Sequence, residues 1–326
     1  MKILVIGGTR FIGRHVINLL LQEGHELTLF NRGKTANPFQ GKVKLIKGDR
    51  KLSGDMLQKT KTHNFDAVID IIAYNENDAT EATRTFLGKV NHYIMISTRS
   101  VYQQPILCPI RESDKLESDP NSSYGYNKVL AENKFLEAYK NSVFPISILR
   151  LPAVYGEYDY QAREWYFIKR LFDSQREMLL PNFGLGINQR EYTGNIANQI
   201  SCILKNPQKT IGKAFNSGHK HYNTYQELVQ IAANLMGKTI KFYGIKNKDM
   251  PYYVPLASDG VRVCSTGKLE SIGYVEKYSV VDGLTNMIKY FTDYPISEYL
   301  FAKRQNVNMF DYTFEQSLIN NKAIEL

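Results

Sequence analysis

Short apolar runs alternate with stretches of helical period through the first 150 residues of the chain. Runs over 2–6, 26–30, 43–47, 67–72, 92–96 and 145–151 are too brief for buried helices and read as strands. Between them, 13–23, 77–87 and 123–139 place apolar residues three and four apart, which predicts amphipathic helices. Strands that are apolar throughout and separated by helices imply a parallel sheet covered on both faces. The expected fold class is α/β, a Rossmann-type doubly wound parallel sheet that binds ligands at the carboxyl ends of its strands.

After Gly156 the rhythm changes. Residues 157–192 are aromatic and loop-rich, with a turn at Pro181-Asn182-Phe183-Gly184. A helix over 193–204 and a strand near 213–216 are expected to return to the sheet. Another helix is expected over 223–236, with Thr224 and Glu227 spaced as a capping box. The division expected is a dinucleotide-binding domain over 1–156, with returns near 193–218, and a smaller mixed α/β substrate lobe with a C-terminal tail over 157–326. The tail from 296 onward is polar and helical in pattern.

Composition narrows the class. With 43% hydrophobic and 22% charged residues, the chain has the balance of a soluble globular protein. No apolar run approaches the ~18 residues that span a bilayer. The opening Met1-Lys2-Ile3-Leu4-Val5-Ile6 is too short for a signal peptide and runs into Gly7-Gly8, so a buried strand is the better reading. Cys108, Cys202 and Cys264 have neither metal spacing nor a disulfide framework, which points to a reducing cytoplasm and no metal site. The net charge of +9 admits anionic partners. Its bases read as spread along the chain, which makes nucleic acid the weaker expectation.

The first strand leads into Gly7-Gly8-Thr9-Arg10-Phe11-Ile12-Gly13 and then a helix. Glycines let the backbone approach a pyrophosphate, and a helix N-terminus offers amide donors and the positive end of its dipole. NAD-preferring folds end the second strand with an acid for the ribose hydroxyls. Here Phe30 is followed by Asn31-Arg32-Gly33-Lys34. With no carboxylate to repel a 2′-phosphate, and Arg32 and Arg10 to pair with it, NADP is expected over NAD. Asp49, ending the third strand, reads equally as an adenine contact or a turn residue.

Tyr124 and Lys128, four apart, share a helical face. Tyr299 and Lys303 repeat the spacing in the tail, where packing is the expected role. Tyr124 opens a helix after the fifth strand, so its end faces the expected nucleotide cleft. Ser97-Thr98-Arg99-Ser100 places hydroxyls at that strand's carboxyl end. A free tyrosine, with its pKa near ~10, is a poor base; a neighbouring ammonium favours the phenolate. The Thr98 hydroxyl is placed to bind the substrate oxygen.

These residues resemble the extended short-chain dehydrogenases/reductases, the NAD-dependent epimerase/dehydratase family. The likeness runs through the Gly7–Gly13 turn, Ser97-Thr98, Val101-Tyr102, Tyr124/Lys128 and Leu149-Arg150-Leu151-Pro152-Ala153-Val154-Tyr155-Gly156. Further on it takes in Arg190-Glu191-Tyr192, Asn195-Ile196-Ala197, Ala214-Phe215-Asn216-Ser217-Gly218, Lys268-Leu269 and Gly273-Tyr274. It implies a catalytic Thr98, Tyr124 and Lys128, with Lys128 on the nicotinamide ribose. Gly7, Thr9, Arg10, Phe11, Ile12, Gly13, Asn31, Arg32, Asp49, Ala73 and Pro152 are the cofactor residues expected. Arg190 is expected either at a substrate phosphate or in a surface salt bridge. A homodimer is expected by resemblance alone.

Arg10 stands where most members carry the middle glycine. The Gly-Gly-Thr-Arg-Phe-Ile-Gly form resembles a bacterial and plastid branch that includes the chloroplast stem-loop RNA-binding proteins. Arg99 and Ser100 stand where sugar 4,6-dehydratases carry Asp-Glu, which argues against dehydration by that route. The expected function is hydride transfer between nicotinamide and a carbinol or ketone carbon of a sugar nucleotide or related substrate, by an epimerase or a reductase. The alternative is an RNA-associated or regulatory protein that retains the fold.

Overall fold

A computed structural model describes residues 1–104, 107–255, 257, 260–296 and 300–326. Tyr299, of the second tyrosine–lysine pair, lies outside them. Among the described residues, no helix is long and apolar enough to cross a membrane. The chain divides into two compact units. The first comprises Met1–Pro152, Thr193–Gly218 and Cys264–Lys277, and the second Ala153–Tyr192, His219–Val263 and Tyr278–Leu326.

The first unit is built on a parallel seven-stranded sheet. Its strands are β1 (Lys2–Ile6), β2 (Glu26–Asn31), β3 (Lys44–Lys47), β4 (Ala67–Asp70), β5 (His92–Thr98), β6 (Ile146–Leu151) and a seventh, Lys213–Asn216. In space they run seventh–β6–β5–β4–β1–β2–β3. The order reverses at β1, which pairs with β2 on one side and β4 on the other. Ile3, Leu4, Val5 and Ile6 are all fully buried, because both faces of the sheet are covered. Helices α2 (Asp55–Thr60), α3 (Glu76–Phe86) and α4 (Ser123–Ser142) bury Met56, Ala82 and Phe135 in one cluster with Leu4 and Ile6. Helix α1 (Ile12–Gln22) lies on the other face with the helix Thr193–Lys205, and its Ile17 packs beside Val5 around Gly8.

The second unit has its own aromatic core, including Trp165, Phe167, Tyr225 and Phe291. Helices Trp165–Phe172, Tyr225–Leu235 and Val280–Asp293 contribute to it, beside a small sheet ordered Ile324–Glu325, Lys241–Ile245, Glu177–Pro181. The capping box read at Thr224 and Glu227 is formed. Residues 157–192 hold more regular structure than their loop-like sequence indicates, namely the helix Trp165–Phe172 and the strand Glu177–Pro181. The C-terminal helix Tyr312–Lys322 is tied in by a buried pair, Arg170 to Glu315 at 2.8 Å. Arg170 also donates to the Met309 carbonyl and covers the Tyr166 ring at 3.7 Å.

Candidate active site

The turn after β1 is shaped by two left-handed glycines, Gly7 at φ 96° and Gly8 at φ 95°. A Cβ at Gly8 would lie 2.8 Å from Ile17, and one at Gly13 would lie 2.4 Å from the Gly8 Cα. The first turn of α1 therefore sits directly on the β1 loop, and only glycine fits at Gly13. No side chain caps the start of α1, so its amide dipoles remain available to an anion. Thr9, Phe11 and Ile12 are half-buried around the turn and Arg10 is exposed. At the end of β2, the Asn31 side chain accepts from the Gly33 amide at 2.8 Å, while its buried Nδ2 has no partner among the described residues. Arg32 is exposed beside it. The bare helix start, the glycine cradle and the orphaned amide fit a dinucleotide lying across the carboxyl ends of β1 and β2. The Asp49 carboxylate accepts from the Lys51 amide at 3.1 Å.

Tyr124 and Lys128 both lie on α4, near its start. A Cβ at Gly125 would fall 2.2 Å from the Ser100 carbonyl oxygen. This glycine lets the helix press against the turn Arg99–Val101, which follows β5 directly. It brings the Tyr124 end of α4 to the Thr98 end of β5. Tyr124 is 51% exposed. Thr98 caps the turn, accepting from the Ser100 amide at 3.2 Å and donating to the Ser100 hydroxyl at 3.3 Å. Leu151 is the register partner of Thr98 on β6, so the buried Pro152 comes one residue past it.

Lys128 is 2% exposed. Its ammonium donates to the carbonyls of Ala73 at 2.7 Å and Ile96 at 2.8 Å, and stands 4.9 Å from the Tyr74 ring centre. Burial pushes its pKa down to about 8, opposed by the negative charges of Asp70 and Glu132. An ammonium has three donors, so one remains after the two carbonyls. Ala73, expected at the cofactor, thus serves the lysine through its carbonyl.

Two buried ionic networks hold this site, and neither was apparent in the sequence. Glu132, one turn after Lys128, accepts from the Ser97 hydroxyl at 2.5 Å and pairs with Arg150 of β6 at 2.6 Å. Arg150 also donates to the Tyr102 hydroxyl, which in turn donates to Asn216. The network joins α4 to the ends of β5, β6 and the seventh strand. In the second network, Arg50 lies between Asp70 at 2.7 Å and Asp78 at 3.1 Å, with Tyr93 donating to Asp70. Asp70 and Asp78 accept from the amides of Ile72 and Tyr74, fixing the loop that presents the Ala73 carbonyl. Their common signal was a charged residue beside a strand end, too frequent a pattern to single them out.

In the second unit, Arg190 lies on a short strand, Arg190–Tyr192, paired with Ala153–Tyr155. It is buried, so a surface salt bridge is not its setting. Desolvation lowers its pKa against the charge of Glu164. Glu164 is fully buried, and among the described residues neither carboxylate oxygen has a hydrogen-bond partner. Its pKa rises to about 7 because desolvation outweighs the attraction of Arg190 and Arg163. Nearby, the Tyr155 hydroxyl and His219 Nε2 lie 2.8 Å apart, and His219 Nδ1 lies 3.6 Å from Glu191.

The sheet order, the glycine turn and the tyrosine–lysine helix define a Rossmann-like dinucleotide-binding protein. The profile of the NAD dependent epimerase/dehydratase family matches residues 3–218, and the chain belongs to that family. It is 28% identical to the chloroplast stem-loop binding protein of 41 kDa b of Arabidopsis thaliana, over 87% of this chain and 78% of that one. It is 23% identical to a putative UDP-glucose 4-epimerase of Methanocaldococcus jannaschii, over 88% and 97% of the two chains. Among solved structures, the UDP-glucuronic acid 4-epimerase of Bacillus cereus, in complex with UDP-glucuronic acid and NAD, superposes with a TM-score of 0.71 at 20% identity. That match covers 90% of this chain and 99% of the other, and it speaks to the fold alone.

Proposed function

We propose that the protein is an NADP-dependent epimerase or reductase acting on a carbinol or ketone carbon of a sugar nucleotide or related substrate. The observation that carries this is Lys128, a buried ammonium with one donor to spare, one helical turn from the solvent-facing Tyr124. The dinucleotide, when bound, supplies the hydride acceptor or donor. Tyr124 exchanges the proton of the substrate oxygen, and the Lys128 charge favours its phenolate. Thr98 holds that oxygen through its hydroxyl. Gly7 to Gly13 cradle the pyrophosphate, Asn31 and Arg32 take the adenosine ribose and its 2′-phosphate, and Pro152 lines the nicotinamide side. Arg190 binds an anionic part of the substrate. The active protein is a cytoplasmic homodimer.

The test is release of the nucleotide that copurifies, followed by turnover of Tyr124→Phe. NADP in the wild type, with turnover down at least ~100-fold in the variant and cofactor retained, is the expected result; general acid–base groups contribute on that scale. NAD instead of NADP removes the selector reading. Full activity in the variant removes the catalytic one.

The similarity to a stem-loop binding protein, together with the Gly-Gly-Thr-Arg-Phe-Ile-Gly turn, favours a second reading as an RNA-associated member of that branch. Salt-sensitive RNA binding that is unchanged in Tyr124→Phe supports it.

A further inference from the structure

Nine lysines and arginines but only two acids, Asp49 and Asp55, occupy residues 32–61. This stretch therefore carries +7 of the chain's net +9, so the charge is concentrated here and not spread along the chain. It folds as one corner of the first unit: the turn after β2, the strand β3, and α2 with its flanks. β3 is the outer strand of the sheet, with a neighbour on one side only. Arg50 is turned inward and neutralised by Asp70 and Asp78. Lys44 pairs with Glu26, and Lys59 with Asp55. Asp49 is engaged with backbone.

Six bases are then left exposed with no acidic partner among the described residues: Arg32, Lys34, Lys42, Lys47, Lys51 and Lys61. The fold draws them together. Asn31 is the register partner of Lys47, and a Cβ at Gly33 would lie 3.3 Å from the Lys47 side chain. Lys59 donates to the Lys47 carbonyl at 2.9 Å, seating α2 beside the same strand end.

Lysines on an outer strand commonly serve to block edge-to-edge pairing. That role needs bases on the strand itself, yet of these six only Lys47 lies on β3, and five sit in the segments around it. A single phosphate would be satisfied by two or three converging cations. Six spread over a turn, a strand end and two helix flanks match an extended, repeating anion instead. Isolated exposed leucines, Leu45 and Leu52, offer no amphipathic face for insertion into a membrane.

We propose that this open sheet edge binds the phosphodiester backbone of a nucleic acid. The choice of RNA as the probe rests on the second reading above; the surface itself rests on charge and placement. Backbone contacts of this kind release counterions, so affinity falls steeply with salt.

The experiment uses the full chain and a fluorescein-labelled RNA hairpin, with anisotropy followed from 50 to 300 mM KCl. One variant combines Lys42→Gln, Lys47→Gln, Lys51→Gln and Lys61→Gln. A control removes the same charge from exposed sites of the second unit through Lys246→Gln, Lys248→Gln, Lys289→Gln and Lys322→Gln. The edge variant is expected to bind at least ~30-fold more weakly at low salt. Its log–log salt slope should be shallower by about 3, since each lost phosphate contact removes roughly 0.7–0.9. The control should keep the wild-type slope, and both variants the wild-type melting temperature. Equal losses in both variants, or an unchanged slope in the edge variant, overturn the surface assignment while leaving RNA binding as a reading. No binding by the wild type overturns both. Tighter binding to vesicles containing one-third phosphatidylserine than to the hairpin overturns the nucleic-acid assignment.

Discussion

Lys128 combines burial with charge, and that combination gives it a pH signature. Its ammonium, pushed down to about 8, loses its proton as pH rises through that value. An enzyme relying on the charge to favour the Tyr124 phenolate then loses kcat/KM above about pH 8, the side on which an unassisted tyrosine would gain. A profile flat to pH 9.5 counts against the lysine assignment. Glu164 gives the opposite kind of test, on stability. Its carboxyl ionises near 4.5 when unfolded and at about 7 when folded. The unfolded chain is therefore favoured progressively as pH rises from 4.5 through 7. Glu164→Gln is expected to stabilise the protein at pH 8 by about 3 kcal/mol, the value of a shift of this size. Urea denaturation should find that gain gone at pH 4.

Gly125 shows how an element is placed by a residue that has no chemistry of its own. Gly125→Ala puts a methyl within 2.2 Å of a backbone oxygen, so α4 must move away from the end of β5. Turnover is expected to fall at least ~10-fold because misplacing catalytic groups by about an ångström is costly. Cofactor retention, measured by fluorescence, should persist because the β1 turn is untouched. If the variant matches wild-type kcat, α4 is not positioned in this way. The elements themselves were largely legible. β1, β2, β5 and α4 follow from apolar period, since strands buried on both faces write continuous apolar runs. The helix Trp165–Phe172 did not, because its apolar residues are aromatic, nearly continuous and preceded by a polar loop. The candidate site was legible where local spacing carries it, as at Tyr124/Lys128 and Gly7–Gly13. Arg50 with Asp70, and Glu132 with Arg150, pair residues 18–20 positions apart on different elements, and one sequence holds no sign of which distant charges meet.

At the scale of the molecule, the first unit is not a contiguous piece of chain. Its seventh strand, Lys213–Asn216, and the helix Thr193–Lys205 arrive after an excursion through the second unit. A fragment of residues 1–152 therefore lacks the strand that pairs β6 on its outer side and the helix that packs beside α1. It is expected to show no cooperative urea transition, whereas the whole chain does. A sharp transition in the fragment would mean that the six remaining strands suffice. The charge distribution belongs to this scale too: +7 within thirty residues leaves almost nothing elsewhere.

Five crossings between the units have a further consequence, for recombination. A unit attached by a single linker can be exchanged between relatives at one breakpoint. Here each unit is assembled from three segments, so grafting a foreign second unit requires five matched junctions. The second unit of such a chain is more readily altered by point substitution within Ala153–Tyr192 and His219–Val263 than by wholesale transplantation.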